Sequence, residues 1–384
     1  MKIPALVTPG QALGVDEARR YSRHVVVPQI SAIGQQRLKG AKVICVGAGG
    51  IGSPTLMYLA AAGVGTLGIV DFDTVDESNL ARQIIHGQSD IGKSKVQSAI
   101  SKIAEINPLI KTVAHEVHLD TSNVMEIFSD YDLIIDGTDN FATRYLINDA
   151  CVLLGKPYIW GSVLRFDGQA SVFWADHGPC YRCLHPEPSG DIPNCAEAGV
   201  LGILCASIAS IQVTEAIKII VGIGEPLIGA LMTYDALSMD YRKITVLKDP
   251  QCVICGANPT QKTLLTDYES FCSTPKEESI NVVELKMKMD NGDDFILVDV
   301  REPHEFEIVR IPGSILMPLS QFLDGSALEN LPRDKAIILH CRSGVRSATA
   351  LEILKTAGFS DSTHVEGGVL AWAQQIDATC TVYS

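Results

Sequence analysis

Through the first half of the chain, apolar residues fall in short unbroken runs: KVICV at 42–46, LGIV at 67–70 before Asp71, and LII at 133–135 before Asp136. Runs of this length, closed by Gly or Asp, predict buried parallel strands. Between them the period changes. In 93–107, Val96, Ile100 and Ile103 recur at helical spacing, and 53–62 reads as another helix. Strands alternating with helices predict a doubly wound α/β sheet. From about Val253 the pattern breaks into Pro, Asn, Thr, Ser and charged residues until Ser279. A second, smaller α/β unit follows, with strands expected at 295–302 and 336–339 and a helix at 347–357. The most apolar stretch, 201–224, is interrupted by Gln212, Glu215 and Lys218, which predicts a buried helix rather than a membrane span.

Composition narrows the function classes. A chain of 384 residues is long for one domain, and 46% apolar with 20% charged residues is an ordinary globular balance. A net charge of −14 weighs against a nucleic-acid surface. Residues 1–14 contain Pro4, Pro9 and Gly10 and no apolar core, so no signal peptide is read. Eleven cysteines without such a signal point to metal and thiol chemistry in a reducing cytoplasm.

The motif GAGGIG at 47–52 follows the first strand and opens a helix, and Gly47, Gly49 and Gly52 let backbone approach a phosphate. Asp71, 19 residues beyond Gly52, can accept ribose hydroxyls. Alone, this fingerprint reads as a dinucleotide site. Three features favour ATP. Asn79 and Arg82 put an amide and a guanidinium near the same strand end, Lys95 is available for phosphates, and Asp139 with Asn140 offers hard oxygens suited to Mg²⁺. The bland alternative makes Arg82 and Lys95 solvated surface charges.

Two C-x₂-C pairs, Cys180 with Cys183 and Cys252 with Cys255, can close a tetrahedral zinc site, a redox dithiol being the weaker alternative. Cys195 stands alone between a Pro-rich loop and the buried helix, a candidate nucleophile against a structural thiol. Cys341 opens the loop CRSGVR, which comprises Cys341, Arg342, Ser343, Gly344, Val345 and Arg346 between strand and helix. Converging loop amides, the helix dipole and the two arginines favour an anionic sulfur there, against the alternative of a buried structural cysteine. His340 reads as a strand-end residue rather than a base.

Residues 17–255 resemble the MoeB/ThiF family, bacterial relatives of ubiquitin-activating E1 enzymes. RYSR at 20–23, the glycine loop, DFD at 71–73, NLARQ at 79–83, Lys95 and TDN at 138–140 all fall in family order. Residues 279–384 resemble a rhodanese domain, with IPGS at 311–314 and GGVLAW at 367–372 flanking a loop of sulfurtransferase length. The pair is similar to MoeZ-type fusions. This divides the chain into an adenylation domain with a Cys₄ zinc site at 1–255, a linker at 256–278 and a sulfurtransferase domain at 279–384. The resemblance implies that Gly47, Gly49 and Gly52 approach the phosphates and Asp71 binds the ribose. Asn79, Arg82 and Lys95 then handle the triphosphate, and Asp139, beside Asn140, takes Mg²⁺. Arg23 would reach the nucleotide of the other subunit in a homodimer. Cys341 would carry a persulfide supplied by thiosulfate or a cysteine desulfurase, and Arg342 and Arg346 would hold anionic donor groups. Cys195 would match the E1-type cysteine. The implied reaction is adenylation of a ubiquitin-like, β-grasp sulfur carrier ending in Gly-Gly, followed by sulfur transfer to give a thiocarboxylate. The rival expectation is protein conjugation through a Cys195 thioester.

Overall fold

The computed structural model describes residues 3–188, 199–272, 279–377 and 380, and contains two compact units, the first running to Phe271. The first is built on eight strands: β1 (Lys42–Val46), β2 (Thr66–Val70), β3 (Lys111–His115), β4 (Leu133–Asp136), β5 (Tyr158–Leu164), β6 (Asp167–Phe173), β7 (Ala230–Asp235) and β8 (Asp240–Thr245). They lie in the order β3-β2-β1-β4-β5-β6-β7-β8. β1 pairs in parallel with β2 on one side and β4 on the other, Val43 facing Leu67 and Leu133. Strand order therefore reverses beside β1, and the crevice beyond the carboxyl ends of β1, β2 and β4 is where such a sheet receives ligands. β1, β2 and β4 are buried on both faces, which is why they read as continuous apolar runs. β6, β7 and β8 extend the sheet in antiparallel fashion, an addition the alternating pattern did not foretell.

The helix Gly52–Ala62 runs back from the crevice and ends at Gly63, whose φ of +80° and contact with the Tyr21 ring leave no room for a side chain. The apolar helix Gly202–Val221 buries Leu204, Ile208, Gln212, Ala216 and Ile220, so it is core rather than a membrane-facing element.

The composition of 256–278 suggested a linker throughout, yet the residues through Phe271 belong to the first unit. Asp149, fully buried in the helix Phe141–Leu154, accounts for this. A buried carboxylate requires donors on every side. Arg182 supplies two at 2.8 Å, Gln261 Nε2 a third at 2.7 Å and the Tyr268 hydroxyl a fourth at 2.8 Å. The Phe271 ring then meets Tyr145 edge-on, with centroids 5.2 Å apart.

The second unit has a five-stranded parallel sheet of β9 (Ser279–Ile280), β10 (Phe295–Asp299), β11 (Ile315–Leu316), β12 (Ala336–His340) and β13 (Ser362–Val365), in the order β11-β10-β12-β13-β9. Alternation along β10 sends Val298 to one core with Leu339, Leu354 and Phe359, and Leu297 to the other with Leu285, Ile338 and Trp372. Helices cover both faces, as a parallel sheet requires.

Candidate active sites

At the end of β1 the chain turns at Gly47 with φ +91°. Three glycines meet here. A Cβ on Gly52 would lie 1.9 Å from the Gly47 carbonyl oxygen, one on Gly47 3.0 Å from the Gly137 oxygen, and one on Gly137 3.0 Å from Gly52 Cα. Gly49 is different: its added Cβ would meet only Gln83 Nε2, at 3.7 Å, so this glycine keeps the loop surface low for a ligand. Asp71 grips the same loop, Oδ2 accepting from Ala48 N at 2.8 Å and Oδ1 from Asp73 N at 2.9 Å. A carboxylate has lone pairs to spare beyond these two.

Lys95 opens the helix Lys95–Ile106 and is only 6% exposed, so it is no solvated surface lysine. Its ammonium pairs at 2.8 Å with Asp73 Oδ2, on a carboxylate whose side chain is 50% exposed. A sheltered cation with a wet, displaceable partner suits exchange of that partner for phosphate. Arg82 lies half-buried beside the loop, with Cγ 3.6 Å from the point a Gly50 Cβ would occupy and Nη1 donating to Ser78 O at 3.3 Å. Asn79 Oδ1 accepts from Asp76 N, closing the short turn that carries Arg82.

The end of β4 supplies the other wall. Asp136 is buried, accepting from the Tyr158 hydroxyl at 2.6 Å and from Thr138 N and Oγ1 at 2.8 and 2.6 Å. Burial pushes its carboxyl above the usual range, against the pull of Arg144. The turn it holds presents Asp139 to solvent beside the crevice, leaving carboxylate oxygens of the kind Mg²⁺ prefers. Asn140 works locally: its Oδ1 caps the helix Phe141–Leu154 by accepting from Thr143 N at 2.8 Å. Arg23 is not brought to this loop within one chain. It stands exposed on the short helix Ser22–Val25, and the adjoining Tyr21 packs on Gly63. Gly63 is separated from the loop by the 11-residue helix Gly52–Ala62, a rise of about 16 Å.

Beyond the crevice, Cys180, Cys183, Cys252 and Cys255 bring their sulfurs within 4.8 Å of one another. The recorded S···S distances of 3.9, 3.6 and 3.4 Å sit near the roughly 3.8 Å edge of a tetrahedron with 2.3 Å zinc–sulfur bonds. The donor set fits Zn²⁺, and four protein ligands leave no open position.

In the second unit, Cys341 follows β12 and is buried. Gly344, with φ +108°, turns its N–H onto Cys341 Sγ at 3.1 Å, and the Ser347 hydroxyl lies 3.6 Å from the same sulfur. The GGVLAW segment buttresses this loop. Val369 N donates to Cys341 O at 2.9 Å and Leu370 N to Arg342 O at 3.0 Å, while Gly368 packs directly on these peptides. Arg346, expected to hold anionic donors, is instead paired with Glu305 through both nitrogens at 2.6 and 2.8 Å. Glu305 comes from 41 residues upstream, too far for the sequence pattern to reveal. The DVRE segment is a brace: Arg301 is buried against Asp299 at 2.6 Å and donates to Val309 O at 2.6 Å. His340 is likewise buried, and burial pushes its pKa down to about 4, so its ring stays neutral and takes no proton at neutral pH. Cys195 lies outside the described residues.

Sequence reasoning missed two groups. His86 is buried beside the glycine loop with Gln83, and only its place after the NLARQ motif could have drawn notice. Gln212 reaches from the helix Gly202–Val221 to donate to Asp136 O at 2.7 Å.

Residues 21–254 match the ThiF family and residues 281–375 the rhodanese-like domain. The chain is 53% identical over 395 residues to the probable adenylyltransferase/sulfurtransferase MoeZ of Mycobacterium tuberculosis, covering 99% of each. It is 49% identical over 264 residues to the sulfur carrier protein adenylyltransferase of Thermus thermophilus, across 67% of this chain and 97% of that one. A crystal structure of E. coli MccB with MccA-N7isoASN shares the fold, with a TM-score of 0.57 at 21% identity over 62% of this chain and 74% of that one. The chain belongs to the ThiF family, in a form that carries a C-terminal rhodanese-like domain.

Proposed function

We propose that this chain adenylates the C-terminal glycine of a ubiquitin-like sulfur carrier with MgATP and converts that carboxyl group to a thiocarboxylate with sulfur held on Cys341. The observation that carries the reading is that one chain holds both centres: a glycine loop flanked by Asp71, Arg82 and Lys95, and a six-residue loop whose Gly344 amide donates to Cys341 Sγ at 3.1 Å. A carboxylate oxygen of the carrier attacks the α-phosphorus, and the bond to pyrophosphate breaks. Arg82 and Lys95 offset the charge gathering on the leaving group. Asp139 would hold Mg²⁺, which supplies further charge neutralisation on the phosphates. No general base is needed, since the nucleophile is already ionised at neutral pH.

The Cys341 thiolate attacks the outer sulfur of thiosulfate and sulfite leaves, or attacks the persulfide of a cysteine desulfurase and that enzyme's thiolate leaves; either way Cys341 becomes a persulfide. The terminal sulfur attacks the acyl carbon, the bond to AMP breaks, and an acyl disulfide to Cys341 forms. A Cys195 thiolate then attacks Cys341 Sγ, and the carrier leaves with the electron pair as a thiocarboxylate. The resulting Cys341–Cys195 disulfide is reopened by a dithiol reductant, which suits a reducing cytoplasm. Arg23 completes the site of a second copy in a homodimer, and the four-cysteine cluster holds a structural Zn²⁺. Conjugation through a Cys195 thioester would give the Cys341 loop no part.

The test is intact-mass analysis of a Gly-Gly-ending β-grasp carrier after incubation with MgATP and thiosulfate. Replacement of one carboxyl oxygen by sulfur is expected with the wild type. Cys341→Ala is expected to keep ATP–pyrophosphate exchange and make no thiocarboxylate; thiocarboxylate formed by that variant would refute the assignment.

A further inference from the structure

His86 is buried where the elements of the nucleotide site converge. Its Nε2 lies 3.1 Å from Ala48 O and its Nδ1 2.8 Å from Ser98 Oγ. A carbonyl only accepts, so the ring carries its proton on Nε2, and Nδ1 accepts from the Ser98 hydroxyl. Burial pushes the imidazole pKa down, which keeps this neutral form. Ala48 sits between Gly47 and Gly49. Its N–H donates to Asp71 at 2.8 Å, and its carbonyl also takes the Ser53 hydroxyl at 3.2 Å. With both sides of this residue held, the direction of the following amides is set. Among the described residues, the N–H groups of Gly49, Gly50 and Ile51 meet no backbone carbonyl, and these are the donors a phosphate would take. Ser98 lies one turn beyond Lys95 on the helix Lys95–Ile106, so both project from one face.

We propose that His86 is a positioning residue for nucleotide binding, joining the Ala48 carbonyl of the glycine loop to Ser98 and so setting the loop amides against the Lys95 ammonium. The role rests on the ATP reading above. A histidine that only filled space would be indifferent to which nitrogen it offered. Here the two nitrogens have different partners, and two amide replacements separate them. His86→Gln carries an amide N–H out to the Nε2 position, within reach of Ala48 O. His86→Asn ends at the Nδ1 position, keeping Ser98 and abandoning Ala48.

The experiment is calorimetric titration of the full-length chain with MgATP, with thermal unfolding of each protein alongside. Absence of binding by the wild type would overturn the ATP reading itself and, with it, the role of His86. Given binding, His86→Gln is expected within about threefold of wild type and His86→Asn about tenfold weaker, at matched melting temperatures. Ser98→Ala, a mild change in a helix, is expected to weaken binding about threefold and carries the test if His86→Asn does not fold. Equal affinities for the Gln and Asn variants would overturn the positioning role. So would wild-type affinity in Ser98→Ala when the Asn variant is unfolded.

Discussion

Substituting alanine for Gly368 should disable the Cys341 loop while leaving the first unit untouched. Gly368 has φ +50°, and a Cβ there would stand 2.2 Å from Cys341 O and 2.7 Å from Arg342 O and C. Carbon and carbonyl oxygen need roughly 3.3 Å, so the loop peptides must retreat by about 1 Å. That retreat breaks the bonds from Val369 N to Cys341 O and from Leu370 N to Arg342 O, each worth about 1 kcal/mol. The left-handed conformation adds about 1–2 kcal/mol for alanine. The sum, about 3–4 kcal/mol, exceeds what a local loop can absorb without moving. A 1 Å displacement of a reacting atom lowers rate on the order of a hundredfold. The assay is sulfur transfer from thiosulfate to cyanide, read as thiocyanate, with ATP–pyrophosphate exchange in the same preparation as control. Sulfur transfer within twofold of wild type would refute the buttressing role of Gly368.

Two further outcomes are expected. Elemental analysis should find one zinc per chain, and Cys252→Ser should lose it and lower stability by about 3 kcal/mol, roughly 10 °C in melting temperature; a metal-free wild type of equal stability would contradict the closed site. His340, ordinarily near 6.5 and pushed down to about 4 by burial, is protonated in the unfolded chain before it is in the folded one. Its contribution is therefore full above pH 6.5 and is lost progressively toward pH 4, about 3 kcal/mol in all. Urea unfolding of His340→Phe across that window should show a shallower loss, and an unchanged slope would remove His340 as the cause.

The parts legible in the sequence were those set by local chemistry. Buried parallel strands must be apolar throughout, so β1, β2, β4, β10 and β12 were readable, as were the helices that start where glycine or serine ends a strand or turn. The two C-x₂-C pairs carried their geometry in their spacing. What escaped notice depended on distant partners. Arg346 looked available until Glu305 took it, and Gln261 and Tyr268 looked like linker residues until Asp149 called for donors. The capping role of Asn140 was also hidden, because the Thr143 amide that donates to its Oδ1 leaves no mark in composition. β6 and β7 were missed because Gln169, Ser171 and Thr233 interrupt their apolar runs, and β8 because it is mostly exposed.

The meeting of Gly47, Gly52 and Gly137 also limits how this pocket can be re-engineered. A methyl group on any of the three would strike main chain rather than a side chain able to step aside. Adaptation by single replacements is therefore closed at these three positions, whether in a laboratory selection or over generations of descent. Phe72 and Asp73 are exposed on the facing wall. Replacements there meet no such barrier.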